Sequence, residues 1–199
     1  MRIGLVRHFK VNCPHKKFMT AKEFKEWTEK YERSKVMVKP VEMNGITWDI
    51  CYVSNMPRAI TTAKEVYGGQ LYIEKLLREV DTAPFIHADK IKLPFEVWHI
   101  FGRIAWLFKW ESQPETRQAT RKRVRQFLAK IDYDNENILI VSHAFMIFNI
   151  QRELRRMGFR GNRFARVKNG VLYELVGTPP KKLVERCRKR KNRTREKQS

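Results

Sequence analysis

The sequence predicts an α/β protein, a three-layer α/β/α sandwich around a mainly parallel central sheet. Three observations carry this. Short apolar runs alternate with amphipathic stretches along most of the chain. One run, Ile138–Ser142, is apolar nearly throughout, as a strand buried on both faces requires. Helix start and stop signals stand between the runs, at Thr20, Pro57 and Gly158.

Each element has its own signal. Arg2–Val6 reads as a short buried strand. Thr20-Ala-Lys-Glu23 is a capping box, and Phe24, Trp27 and Tyr31 follow at helical spacing, which predicts a helix over about 20–33. Asp49–Ser54 is a second strand. Pro57–Tyr67 is a helix with Pro57 in its first turn and Gly68-Gly69 as its stop. Leu71–Leu76 is a third strand, and a segment rich in aromatics runs from Ile91 to Trp110. Ser112-Gln-Pro-Glu115 is a second capping box, which predicts a long basic helix to about Ile131. Ala144–Met157, apolar nearly all round, is a helix stopped by Gly158. Arg163–Val167 and Val171–Val176 flank Asn169-Gly170, a hairpin signal. No internal repeat is visible. The reading is one domain over 1–177, with a variable cap over about 85–111, and a mobile basic tail over 178–199.

Composition bounds the function. The chain has 199 residues, with 42 Lys+Arg against 21 Asp+Glu and a net charge of +21. Apolar residues are 42% and aromatics 12%, enough for a real core, which excludes a wholly disordered chain. Cys13, Cys51 and Cys187 form no CxxC pair and no disulfide framework, so a reducing, cytoplasmic setting is expected. The N-terminal apolar run breaks at Arg7, unlike a signal peptide, and no long uncharged apolar stretch predicts a membrane span. From Lys181 to Ser199, ten basic residues face only Glu185 and Glu196. Such a balance points to anionic partners, and residues 181–197 are expected to make weak contact with a polyanion or an anionic membrane surface, or else to be a solvated tail. Oligomeric state is not legible.

The chemistry clusters at predicted strand ends, where α/β sheets hold ligands. The first strand leads into Arg7-His8, the second into Ser54-Asn-Met-Pro-Arg58, and the late apolar strand into Ser142-His143. If these ends are adjacent, two arginines and two histidines converge. Guanidiniums neutralise a phosphoryl group with fixed geometry. A neutral imidazole can attack phosphorus, and a second can stabilise the transition state. Glu79 is the nearest acid along the chain for protonating a leaving oxygen, with Asp81 behind it.

This set resembles the histidine phosphatase superfamily, the phosphoglycerate mutase-like enzymes. The motifs are Leu5-Val6-Arg7-His8-Phe9, then Ser54-x-x-x-Arg58-Ala59-x-x-Thr62-Ala63, then Leu77-Arg78-Glu79, then Ser142-His143-Ala144, with Glu111-Ser112 as an acidic-Ser helix start. They stand in the family order over about residues 1–176. The resemblance implies a phosphatase in which His8 takes the phosphoryl group as phosphohistidine. Arg7, Arg58 and His143 would bind that group, and Glu79 would protonate the leaving group and then help to activate water. The substrate would be a small phosphate ester. No metal and no other cofactor is implied, because arginines and histidines supply the charge.

The sequence also departs from the pattern. Phe9 stands where the family has Gly, and Val11 and Pro14 where it often has Thr and Asn; Asn12 is a substitute phosphate contact. Ala144 replaces Gly after the second His. The rival reading is a catalytically weak scaffold that holds nucleic acid or membrane through its basic face, with Phe9 blocking the pocket. In the aromatic segment, Glu96, His99 and Arg103 would form one polar stripe on an otherwise apolar helix. That helix is read either as core or as a lid or interface element that binds an apolar substrate moiety, a partner or a lipid surface, in which case truncating Trp98 and Trp106 would alter substrate choice. Arg117, Arg121 and Arg125 share a helix face, for acidic partners, solvent or an anionic docking surface. Cys13 and His15 are too few for a metal site.

Overall fold

The computed structural model describes residues 1–81, 83–86, 90–164 and 166–196. In chain order the elements are β1 (Arg2–Arg7), β2 (Lys10–Val11), β3 (Phe18–Met19), α1 (Ala21–Arg33), β4 (Val36–Met37), β5 (Ile50–Ser54), α2 (Pro57–Val66) and β6 (Leu71–Glu74). Then come β7 (Leu93–Pro94), α3 (Phe95–Leu107), α4 (Arg117–Leu128), β8 (Asn137–Ser142), α5 (Ala144–Arg156), β9 (Leu172–Val176) and α6 (Lys181–Glu196).

The central sheet has the order β6-β5-β8-β1-β9. Its first four strands are parallel and β9 closes the β1 edge antiparallel. Alternation along the strands feeds two cores. Ile3, Leu5, Ile138 and Ile140 face Val124 and Phe127 of α4, Ile147 and Ile150 of α5, and Cys187 of α6. Val6, Cys51, Val53, Leu139 and Val141 face Ala59 and Ala63 of α2. Ile138 to Val141 are fully buried, so the apolar run of β8 serves both layers. Gly4 has no Cβ because the Trp48 ring lies on that face of the sheet; a Cβ there would stand 2.3 Å from it. A third cluster, Met19, Ala21, Phe24 and Trp98, joins α1 to α3 beside the sheet.

Local signals explain the best-defined ends. Thr20 and Glu23 form the expected reciprocal capping box of α1. Pro57 occupies the first turn of α2. Gly158, at φ +95, ends α5 in a conformation that side chains with a Cβ rarely adopt.

Three expectations need correction. The box at Ser112 does not open α4; Thr116 caps it, accepting from the Ala119 amide, while Gln113 is drawn aside to bond the backbone of Ala83. Asn169-Gly170 does not turn a hairpin. Gly170, at φ +57, docks its amide on the Arg7 carbonyl, and β9 pairs with β1, because the open edge of the sheet offers a longer ladder. Lys181–Glu196 is a helix, where a mobile tail was expected. Leu183, Val184 and Cys187 give it an apolar face packed on the α4–α5 core, and Arg188 and Lys191 reach Asp132 and Asp134. Its composition is so basic that three apolar residues at helical spacing give only a faint helix signal. Residues 87–89 of the cap segment and 197–199 of the tail lie outside the described residues. Among the described residues, no helix is long and apolar enough to cross a membrane.

Candidate active site

Strand register brings the motifs together. Arg7 lies opposite Ser142 across β1 and β8, and Val53 opposite Val141 across β5 and β8. His8, Ser54 and His143 therefore leave the sheet at one carboxyl edge. The His8 and His143 rings are 5.0 Å apart, both buried.

His8 is held from three sides. Its amide donates to the Ser142 carbonyl at 2.9 Å, and its own carbonyl accepts from Asn169 Nδ2 at 2.8 Å. Its Nδ1 stands 2.6 Å from the Phe9 carbonyl. A carbonyl only accepts, so Nδ1 carries the proton and Nε2 keeps its lone pair. Burial first, then the charges of Arg58 and Arg7, push the His8 pKa down from 6.5 to about 3. The ring is thus a neutral base at pH 7.

Arg58 stands in the first turn of α2, buried, with its guanidinium 5.3 Å over the Tyr31 ring. Burial lowers its pKa, the Tyr31 and Glu79 charges opposing. Arg7 donates from Nη1 to the Val167 carbonyl at 2.8 Å. Arg7 Nε, Arg58 Nε, Arg58 Nη1 and His143 Nδ1 are buried without a hydrogen-bond partner. Ser54 and Thr62 of the second motif have structural tasks here. Ser54 Oγ meets His143 Nε2 at 2.8 Å. Thr62 Oγ1 accepts from the Phe9 amide and donates to the Arg58 carbonyl, so one hydroxyl joins the His8 loop to α2. His143 is held well below the ordinary histidine pKa by burial, then by His8 and the two arginines.

Glu79 lies where α5 begins. Its Oε1 accepts from the Val80 and Met146 amides and its Oε2 from Phe145, so the carboxylate caps the helix that follows His143. Arg123 of α4 sets the Glu79 loop: it donates to the carbonyls of Leu76 and Arg78 and forks onto Glu115. Among crowded basic residues its positioning task had no sequence signal of its own.

These groups open into a cleft of about 610 Å³ lined by Arg7, Arg58, Glu79 and Asp81 together with residues of α1, α3 and the 166–169 loop. Trp27 and Tyr31 come from α1, and Phe95, His99 and Arg103 from α3. Arg103 donates to the Val80 carbonyl and lies 4.1 Å from the Phe145 ring centre. The predicted polar stripe of α3 thus reaches the cleft through His99 and Arg103. Trp98 and Trp106 do not; both are core, bonded to the Met19 carbonyl and Thr120 Oγ1. Burial pushes the His99 pKa down to about 4.

Two further expectations fail on placement. Asn12 does not line the cleft; it is exposed, and its amide bonds the Lys35 carbonyl. Asn169, read only as a turn residue, lines it instead. Phe9 does not block the cleft: it is fully buried behind the His8 loop, against Gly170, where any Cβ would stand 3.0 Å from the ring. Tyr31 and Arg166 were also not singled out as site residues, because helix and loop contacts across the fold bring them in. Among the described residues, no group of three or more His, Cys, Asp or Glu is placed to hold a metal; Cys13 and His15 line the cleft wall.

Comparison with known proteins bears on the fold and the family. No curated protein matches the sequence. Among solved structures, an Escherichia coli K-12 protein assigned as an α-ribazole-5′-P phosphatase superposes with a TM-score of 0.57 at 20% identity, covering 87% of this chain and 89% of that one. A mycobacterial glucosyl-3-phosphoglycerate phosphatase gives 0.52 at 15%, covering 89% and 90%. Phosphoserine phosphatase of Entamoeba histolytica gives 0.50 at 15%, covering 92% and 98%. These likenesses show the fold. The model of the histidine phosphatase superfamily (branch 1) matches residues 19–189, so most of the chain carries that pattern and the chain belongs to this superfamily.

Proposed function

We propose that the protein hydrolyses phosphate monoesters through a phosphohistidine on His8. The observation that carries this is the buried floor: a neutral imidazole with its Nδ1 proton engaged, beside two guanidiniums and a second imidazole with unpartnered N–H or ring nitrogen groups. A phosphoryl group offers oxygens to such donors, and unpaired buried donors are costly without one.

The steps balance as follows. The Nε2 lone pair of His8 forms an N–P bond while the P–O bond to the leaving group breaks. Arg7, Arg58 and His143 hold the equatorial oxygens as charge redistributes. Glu79 gives the leaving oxygen a proton and is left as the carboxylate. Its carboxylate then takes a proton from water as that water attacks phosphorus and the N–P bond breaks. Inorganic phosphate leaves and His8 is again neutral. The guanidiniums supply the positive charge, so activity should survive a chelator.

The test is turnover of an aryl phosphate with and without chelator, in the wild type and His8→Ala. Chelator-resistant turnover lost in the variant is expected; full activity in the variant would refute the role of His8. The binding-scaffold reading drew its support from a pocket blocked by Phe9, and Phe9 lies outside the cleft.

A further inference from the structure

Helix α3 has three faces. At about 100° per residue, Trp98, Gly102 and Ala105 fall on the core side and are buried. Phe95, His99 and Arg103 line the cleft. Ile100, Phe101, Ile104, Leu107 and Phe108 occupy the remaining arc, about 120° wide, and it is apolar where a solvated helix would be charged. Ile100 is 57% exposed and Phe108 68%, and Trp110 just beyond the helix is 45% exposed.

This face adjoins strong positive charge. Lys109, between Phe108 and Trp110, lines a cleft of about 180 Å³ with Arg117 and Arg121 of α4 and Arg152 and Arg156 of α5. Glu153 is the one acid in that lining, and it is already shared by Arg121, Arg125 and Arg156. Arg117 and Arg156 add to burial in pulling the Arg152 pKa down, a sign of like charges held together. On the other side, exposed Phe148 stacks on Phe145, which meets Trp106 of α3. Phe145 and Phe148 also line a groove that runs to Arg7 and Arg166.

We propose that this face docks on an anionic lipid surface. The α3 stripe with Trp110 enters the headgroup boundary, and the Lys109, Arg117 and Arg152 cleft takes lipid phosphates. An apolar helix face flanked by Lys and Arg is the pattern of an interfacial helix. Single-stranded RNA fits less well: Phe108 and Trp110 could stack on bases, but Ile100, Ile104 and Leu107 could not, whereas a lipid surface takes up the whole stripe. A second copy fits less well too, because a twofold contact would oppose cation to cation on a chain of net charge +21. Docking in this way sets the mouth of the Phe148 groove beside the headgroups.

The experiment is flotation of the full chain with vesicles of phosphatidylcholine alone or mixed with phosphatidylglycerol. The wild type should float with the mixed vesicles only, and salt should weaken binding. Phe108→Ser with Trp110→Ser, and separately Arg117→Glu with Arg152→Glu, should each cut the bound fraction roughly tenfold. Both double variants should keep the wild-type thermal unfolding midpoint, which checks folding independently of any catalytic role. Absence of flotation, or flotation unchanged in the first variant, would overturn the assignment. So would RNA binding that ignores Phe108 and Trp110, or a dimer that depends on them, in place of flotation.

Discussion

The floor and the wall of the cleft are built differently. Arg7, His8, Arg58 and His143 come from strand ends or the first turn of a helix, and three of the four are buried. Trp27, Tyr31, Phe95, His99 and Arg103 come from two helices joined by their own small core. The floor is fixed by backbone: the register of β1, β5 and β8 leaves its residues little choice of position. The wall is fixed by side-chain packing between α1 and α3. The lesson is a division of labour. The floor suits a reaction, and the wall suits the choice of leaving group.

The largest expected effect is on the floor. His8→Ala should lower kcat about 10⁴-fold or more, since the nucleophile is lost. Arg58→Met should lower kcat/KM by about 10²–10³-fold. The same variant should unfold at a higher temperature than the wild type, because it removes a buried guanidinium with two unpartnered nitrogens. Opposite signs for activity and stability are the mark of a group held for binding; loss of both would mean Arg58 is structural.

Next comes the acid. Glu79→Gln should cost about 10²-fold on an alkyl phosphate and much less on an aryl phosphate with a good leaving group, which needs little protonation. Asp81→Asn should cost less than tenfold by the same reasoning; the reverse ranking would move the proton donor to Asp81. On the wall, Trp27→Ala should change KM by about tenfold for bulky esters and leave kcat for a small ester nearly unchanged. A kcat loss across all esters would show that the wall is part of the floor.

The effect furthest from the chemistry is in stability against pH. The folded His8 pKa, about 3, lies below its ordinary 6.5. The unfolded chain therefore binds more protons between these values, and stability falls as pH falls through that window. Unfolding in urea should show a loss of about 2 kcal/mol for His8 from about pH 7.5 to about pH 5. His8→Gln should flatten the curve, leaving the part due to His143.

Much of this was legible in the sequence. β1, β5, β8 and α2 carry their own apolar runs, Pro57 and terminal polar residues, and they deliver the floor. Glu79 was legible as an acid, though its place at the head of α5 was not. The wall was harder. His99 and Arg103 showed as a stripe, but Tyr31 read only as one of three aromatics at helical spacing and Arg166 and Asn169 as parts of a hairpin. Those residues reach the cleft through contacts between distant segments, which no local pattern encodes. The tail misled because charge dominated its composition, while Leu183, Val184 and Cys187 sufficed to dock it. Conversely, Trp98 and Trp106 drew attention by size, and size is what the core uses.

The central claim is that His8 carries the phosphoryl group. The direct measurement is rapid quenching during turnover of a phosphate monoester, followed by peptide mass spectrometry under alkaline conditions that preserve phosphohistidine. The account predicts a phosphoryl adduct on the peptide that contains His8, formed in the first turnover and absent in His8→Ala. Steady turnover with no adduct at His8, or an adduct elsewhere that persists in His8→Ala, would contradict it.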